Sequence, residues 1–332
     1  MQNTVAVISL KKIRSNARKI KRQAGVSLIA VVKDNGYGHG AVEVAHALDN
    51  IADMFAVSTV DEGAALRVGG ITKDVLVLSP PLCEEEVVRA CAYRLTLSLT
   101  SLAVLRLCAR AKTGELLAHI SVNTGMNRYG FRPDAVSRCC REALRAGILV
   151  TGIYSHLYLA EDERICAEQA RLFLSACDCA RAYFPHCMRH LSSTGGALRG
   201  IAFDGVRAGI ALYGYLPQGF EGALPVQPAA KLYATVSHAC VPFGGGAGYA
   251  KYEGNAKELH TLRLGYGDGF FRAGGVEAQG KLCMDACVRE GKARIGARRL
   301  VLKSVTEYAR AHGTTEYEVL VNILNKAVKI YV

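Results

Sequence analysis

Eight short apolar runs rich in β-branched residues, with helix-length stretches between them, occupy the first two thirds of the chain, at residues 27–33, 54–59, 74–79, 95–100, 117–123, 149–155, 188–193 and 205–209. The intervening segments carry helical patterns, for example at 41–48, 60–68, 135–146 and 163–183. Strands joined by helical crossovers pair in parallel, because each helix returns the chain to the end from which it started. Eight such units predict an α/β architecture, an N-terminal (β/α)8 TIM barrel, although a doubly wound open sheet would read similarly.

After Leu212-Tyr213-Gly214 the rhythm changes. Candidate strands at 231–241, 258–264, 281–289 and 299–303 follow one another through glycine-rich turns without helix-length spacers, which predicts a smaller, mainly-β C-terminal domain. The expected domains are 1–214 and 215–332, with residues 1–10 free to pair with the second. Ser304 with Glu307, and Thr315 with Glu318, have capping-box spacing and predict two closing helices.

A chain of 332 residues, half of them hydrophobic, can bury a substantial core. No secretory leader pattern and no membrane-spanning apolar run is visible, so a cytoplasmic protein without a membrane segment is expected. The twelve cysteines lack the paired spacing of a zinc site and read as reduced, mostly buried thiols, with no metal expected. The net charge of +12 raises the question of nucleic acid, most of all at the basic run from Lys11 to Arg22. There Leu10, Ile13, Ala17 and Ile20 recur at helical spacing, and no aromatic residue interleaves the cations. A solvated helix face is the better reading, and no nucleic-acid partner is expected.

In a barrel, side chains at the C-terminal strand ends converge on one face. Lys33 ends the first strand, Thr124 to Arg128 follow the fifth, His156 the sixth, Ser193 and Thr194 the seventh, and Gly209 and Ile210 the eighth. An amine at such a place can form a Schiff base with an aldehyde, and backbone N–H groups around Thr194-Gly195-Gly196 and Gly209-Ile210 can cradle a phosphate. An aldehyde and a phosphate on one ligand describe pyridoxal 5'-phosphate, though glycine pairs after strands more often mark ordinary turns. His156 also reads as a satisfied core histidine, Arg207 as a loop arginine, and Tyr249 and Tyr266 as surface strand residues.

Seven segments in order, "AVVKDNGYGHG" from Ala30, "NTGMNRYGF" from Asn123, "YSHL" from Tyr154, "VRAGIALYG" from Val206, "GYAKY" from Gly248, "LGYGDGF" from Leu264 and "CMD" from Cys283, resemble the alanine racemase family. The resemblance implies a barrel with a C-terminal β domain, pyridoxal 5'-phosphate as cofactor, and the interconversion of L- and D-alanine, which in a bacterial source supplies cell-wall synthesis. It implies that Lys33 holds the cofactor and serves as one catalytic base. Tyr249 resembles the second base, supplied by the other subunit of a head-to-tail homodimer. Tyr37 and Tyr331 resemble phosphate-binding tyrosines, helped by Ser193, Thr194, Gly209 and Ile210. By the same resemblance His156 bonds the catalytic tyrosine, and Arg207 lies against the pyridine nitrogen. Arg128 resembles the arginine near the cofactor's phenolic oxygen, Met284 and Asp285 resemble residues that meet the substrate carboxylate, and Tyr266 resembles a tyrosine of the entry passage.

The chain departs from the family pattern at Ser121 and Asn123, where members often carry a lysine and an acidic residue, so that Asn123 or a bound anion is left to orient Arg128. Ser193 stands where asparagine is usual, and Lys326-Ala327-Val328-Lys329 replaces an arginine-rich pattern before Tyr331. These departures leave a serine or broad-specificity racemase as the alternative, since a pocket for a methyl group discriminates weakly against one added hydroxyl. A cofactor carrier without turnover is a third reading, against which stand Tyr249 and the whole β domain.

Overall fold

The computed structural model describes residues 4–273 and 275–332. The chain forms two compact units: Lys11–Gly36 with Ala41–Gln227, and the N-terminal stretch up to Leu10 with Tyr37–Gly40 and Pro228–Val332.

Strand β1 (Thr4–Ile8) belongs to the second unit, and the barrel begins after it. Its strands are β2 (Ser27–Val31), β3 (Met54–Val57), β4 (Val75–Val77), β5 (Thr96–Leu99), β6 (Leu117–Ser121), β7 (Leu149–Tyr154), β8 (Met188–His190) and β9 (Gly205–Ala208). All pair in parallel, in the order β8-β7-β6-β5-β4-β3-β2-β9. The seam between β8 and β9 is closed by a parallel bridge from Ser193 to Arg207. That bridge joins the two ends of the order, which the open-sheet alternative would leave apart, while inside the order Ser27 pairs with Gly205 and Ala30 with Ala208.

The basic N-terminal segment is the helix Leu10–Ala24, which buries Ile13, Asn16, Ala17 and Ile20. Leu10 is only half-buried, and a polar residue, Asn16, sits in the buried stripe instead. Its amide donates to Leu212 O at 3.1 Å and Gln227 O at 2.9 Å, and its oxygen accepts from Gln227 N at 2.9 Å. These bonds tie the segment that leaves the barrel back to its first helix. The first unit accordingly runs to Gln227, compared with the boundary at 214 expected from sequence.

In the second unit β10 (Ala230–Cys240) is central, followed by β11 (Gly246–Ala247), β12 (Ala250–Lys251), β13 (Leu259–Leu262), β14 (Cys287–Glu290), β15 (Arg298–Leu300) and β16 (Val328–Tyr331). The main sheet runs β14-β13-β10-β1-β16, with β15 also on β10. The strand expected at 281–289 is shorter than predicted: residues 281–286 form a turn, in which Cys283 N donates to Ala286 O at 3.0 Å, and pairing starts at Cys287. Strand β16 went unread in the sequence because it has four residues and no flanking turn signal. Of the two expected capping boxes, Ser304 does accept from Glu307 N, at 3.1 Å. Thr315 caps no helix N–H with its side chain; it is Thr314 that donates to Glu318.

Candidate active site

Lys33 follows β2 and opens a turn whose backbone is left-handed, with φ of 51° at Asp34, 55° at Asn35, 63° at Gly36 and 52° at Tyr37. Successive left-handed residues cost roughly 1–2 kcal/mol each unless they are glycine, and Asp and Asn tolerate the conformation best. Such strain persists only where surrounding bonds over-determine it. Here Glu62 Oε1 accepts from Asp34 N at 2.6 Å and Asn35 Oδ1 accepts from Ala41 N at 3.0 Å. Gly36 N closes onto Val32 O at 2.8 Å. Glu62 is also the N3 residue of a complete capping box with Thr59 on the helix Val60–Val68. One carboxylate therefore starts that helix and clamps the turn that presents Lys33.

Arg207 on β9 is 4% exposed and lies at the centre of the barrel's polar interior. Its Nη1 donates to His190 Nδ1 at 2.8 Å and His190 O at 2.6 Å. Its Nη2 donates to Ser155 O at 2.6 Å, Leu191 O at 3.0 Å and His156 Nδ1 at 3.1 Å. Every acceptor is neutral, so among the described residues this buried cation has no carboxylate partner. Burial, with Arg128 nearby, lowers its pKa to about 10, which still leaves it charged at neutral pH. A guanidinium offers only donors, so His156 must turn a lone pair at Nδ1 toward it and carry its proton on Nε2. Burial first, then Arg207, Arg128 and Lys33, push the His156 pKa down to about 3. His156 is thus a neutral donor within electrostatic reach of three cations.

The loops that bear His156 and Arg128 share one buried support. Gln169, on the helix Glu163–Arg181, donates to Thr124 Oγ1 at 2.9 Å and His156 O at 3.1 Å. Thr124 and Ser155 hydroxyls bond at 2.8 Å. Asn123 does not orient Arg128: its oxygen accepts from Gly125 N at 3.0 Å and Asn127 N at 3.1 Å, and its amide donates to Asn127 Oδ1 at 3.0 Å. Arg128 itself is exposed, with its guanidinium carbon 5.9 Å from the Tyr129 ring centroid. Ser193 and buried Thr194 lead into the short helix Thr194–Leu198, while Gly209 leads into the turn Ile210–Tyr213. Tyr213 donates to Val31 O at 3.1 Å, fastening the turn after β9 to the strand that ends in Lys33.

The second unit holds the other candidates. Tyr37 is buried, its ring 6.0 Å from that of Tyr317, and Tyr331 ends β16 opposite Ile8. Tyr266 and Met284 lie on two loops zipped together by Tyr266 N to Cys283 O at 3.1 Å and Gly267 N to Met284 O at 2.8 Å. Asp285 follows in the same turn, and Asp268 accepts from Gly265 N at 2.9 Å to hold the Tyr266 loop. Tyr249 is 67% exposed, and its ring carries the Arg272 guanidinium 5.5 Å from the centroid.

Sequence reasoning passed over Glu62, Gln169, Arg272, His119 and His190. The two histidines were detectable only as inward positions on strands: His119 stands two residues before Ser121, on the same face of β6.

The chain matches the family model described as alanine racemase, N-terminal domain, over residues 8–217. It is 32% identical over 362 residues to the alanine racemase of Streptococcus uberis, covering 99% of this chain and 98% of that one. Among solved structures, the alanine racemase of Clostridium difficile superimposes with a TM-score of 0.92 at 26% identity, covering 100% of this chain and 96% of that one. The biosynthetic alanine racemase of Pseudomonas aeruginosa gives a TM-score of 0.87 at 29% identity, with both chains fully covered, 100% each. A parallel eight-stranded barrel joined to a mainly-β unit, matched over its whole length by these enzymes, is that of an amino-acid racemase, an isomerase. The chain belongs to the alanine racemase family.

Proposed function

We propose that the protein interconverts L- and D-alanine with pyridoxal 5'-phosphate, using Lys33 and Tyr249 of the partner subunit as opposed bases. The observation that carries this reading is Arg207: a buried cation without an acidic partner among the described residues, beside a His156 that burial and nearby cations, Lys33 among them, keep neutral. That donor set fits a phosphorylated, anionic ring compound, which supplies the missing countercharge. When bound, pyridoxal 5'-phosphate supplies an electron sink for the bonding pair released at the substrate's α-carbon.

Inversion at that carbon requires one base on each face, one to remove the proton and one to return it. Lys33, presented by its clamped left-handed turn, holds the covalent attachment and moves the proton on one face. Tyr249 of the partner subunit moves it on the other, and the Nε2–H of His156 serves as its hydrogen-bond donor. Arg207, which stays cationic, would lie against the ring nitrogen of the bound cofactor and disfavour its protonation, and would thereby limit transamination. Ser193, Thr194, Gly209, Ile210, Tyr37 and Tyr331 bind the phosphate in this reading, while Arg128, Met284, Asp285 and Tyr266 meet the substrate. The exposure of Tyr249 and of Met284 (62%) on the single chain supports a head-to-tail homodimer that covers both. The described cysteines are all free thiols, which supports a cytoplasmic setting.

The test is deuterium wash-in at the α-carbon of L-alanine and L-serine in D2O with added cofactor, alongside chiral analysis. Exchange with inversion, faster on alanine, is expected. Faster inversion of serine transfers the activity to the alternative substrate, and cofactor binding without exchange on either leaves a carrier.

A further inference from the structure

Arg207 is only the first member of a longer chain of buried polar groups. His190 gives its Nδ1 lone pair to Arg207, so its single proton resides on Nε2. That atom lies 2.9 Å from His119 Nδ1, which must accept, and the proton of His119 is then on its own Nε2. Two cross-strand neighbours make room for this arrangement and hold it. Gly152 is the register partner of His119, and a Cβ there would fall 2.6 Å from His119 Nε2. Tyr154, the register partner of His190, stacks on its ring at 5.2 Å and 11°. Its hydroxyl donates to Ser98 Oγ at 2.9 Å, and Ser98 donates to Val77 O at 2.6 Å. Arg207 also covers the Tyr154 ring at 5.3 Å.

We infer that His119 and His190 are positioning residues: a chain of two imidazoles, each locked as the Nε2–H tautomer, that fixes the orientation of the Arg207 guanidinium and, through it, the donor direction of His156. The pair is a strut and not a proton wire. Burial and Arg207 hold both rings neutral, the pKa of His119 falling to about 3 and that of His190 well below its ordinary value. Gly152 is conformationally ordinary here and is required only because the ring of His119 fills its side-chain space. The inference rests on the racemase reading for its kinetic readout only.

The experiment is long-range 1H–15N correlation on histidine-labelled protein, which distinguishes the two imidazole tautomers, with and without substitution of His119. In the unsubstituted chain His119, His156 and His190 should all show an unprotonated Nδ1 that does not titrate between about pH 5 and pH 9; a protonated Nδ1 on His190 overturns the inference directly. His119→Leu removes the acceptor and should release His190 into a tautomer mixture. His119→Asn, which can present an oxygen at the place of Nδ1, should restore the single tautomer. In the cofactor-loaded enzyme His119→Leu should lower kcat about tenfold or more with KM changed less than about twofold, and His119→Asn should recover most of it. A single His190 tautomer and unchanged kcat in a folded His119→Leu protein overturn the inference, and loss of tautomer order without any kinetic change reduces the pair to core packing. Should His119→Leu not fold, Gly152→Ala pushes the same ring aside and is judged by the same spectra.

Discussion

His156 Nδ1 lies 3.1 Å from Arg207 Nη2, and this contact fixes which nitrogen of the imidazole bears the proton. The arginine can only donate, so the histidine accepts on that side and donates on the other. A histidine held this way has been removed from the pH range in which histidines ordinarily titrate.

That removal has a thermodynamic signature. His156 and His119 are each brought from an ordinary 6.5 to about 3, by burial first and then by nearby cations. Between those values the unfolded chain binds protons that the folded chain refuses. Their contribution is therefore complete above pH 6.5 and lost as the pH falls, by about 1.4 kcal/mol per pH unit for each histidine. Urea midpoints should be nearly level from about pH 8 to pH 7 and decline toward pH 5. A midpoint that rises on acidification contradicts the assignment.

The carboxylate of Glu62 accepts from Ser58 N at 2.6 Å and Thr59 N at 3.2 Å as well as from Asp34 N. Glu62→Ala should destabilise the protein by about 1–3 kcal/mol in urea unfolding. It should also weaken cofactor binding about tenfold in spectral titration, because the left-handed turn loses its clamp. Glu62→Gln keeps an acceptor oxygen and should do less on both counts. Equal cofactor affinity in Glu62→Ala would separate the turn from the site.

Asn16 is a buried amide whose three bonds all end on the segment leaving the barrel. Asn16→Leu fills the space but leaves Leu212 O and the Gln227 backbone groups without their partner. A loss of about 2–3 kcal/mol is expected, measured by the urea midpoint at constant m-value. A neutral effect would show that water replaces the amide.

If each site takes Lys33 from one subunit and Tyr249 from the other, inactive Lys33→Ala and Tyr249→Phe chains should complement. A mixed dimer holds one doubly damaged site and one intact site. Random pairing then restores about a quarter of the normal activity on co-expression. Mixed dimers isolated with two different tags and found inactive would place both bases on one chain.

Part of the candidate site was legible because barrel strands end where chemistry gathers, so Lys33 and His156 were marked by position as well as by resemblance, and Arg207 by resemblance alone. Their support was not, because it depends on which residues face each other across strands. His119 and Gly152 are far apart in sequence, and only ring closure and register make one the space for the other. The same applies to Glu62, whose cap to Thr59 is local and readable while its bond to Asp34 is not. In the second unit β10 was readable as the candidate strand at 231–241, but its central place in the sheet was not. The turn at 281–286 was not, since its residues satisfy one another and alternate no more than a strand would. Arg272 gave no signal at all, because its place over Tyr249 depends on a long loop folding back.

The most direct test of the account is to incubate the protein with pyridoxal 5'-phosphate, reduce with borohydride, which turns a Schiff base into a stable secondary amine, and map the modified peptide by mass spectrometry. The account predicts one modified residue, Lys33, and no modification in Lys33→Ala. Attachment to another lysine, or none at saturating cofactor, contradicts it.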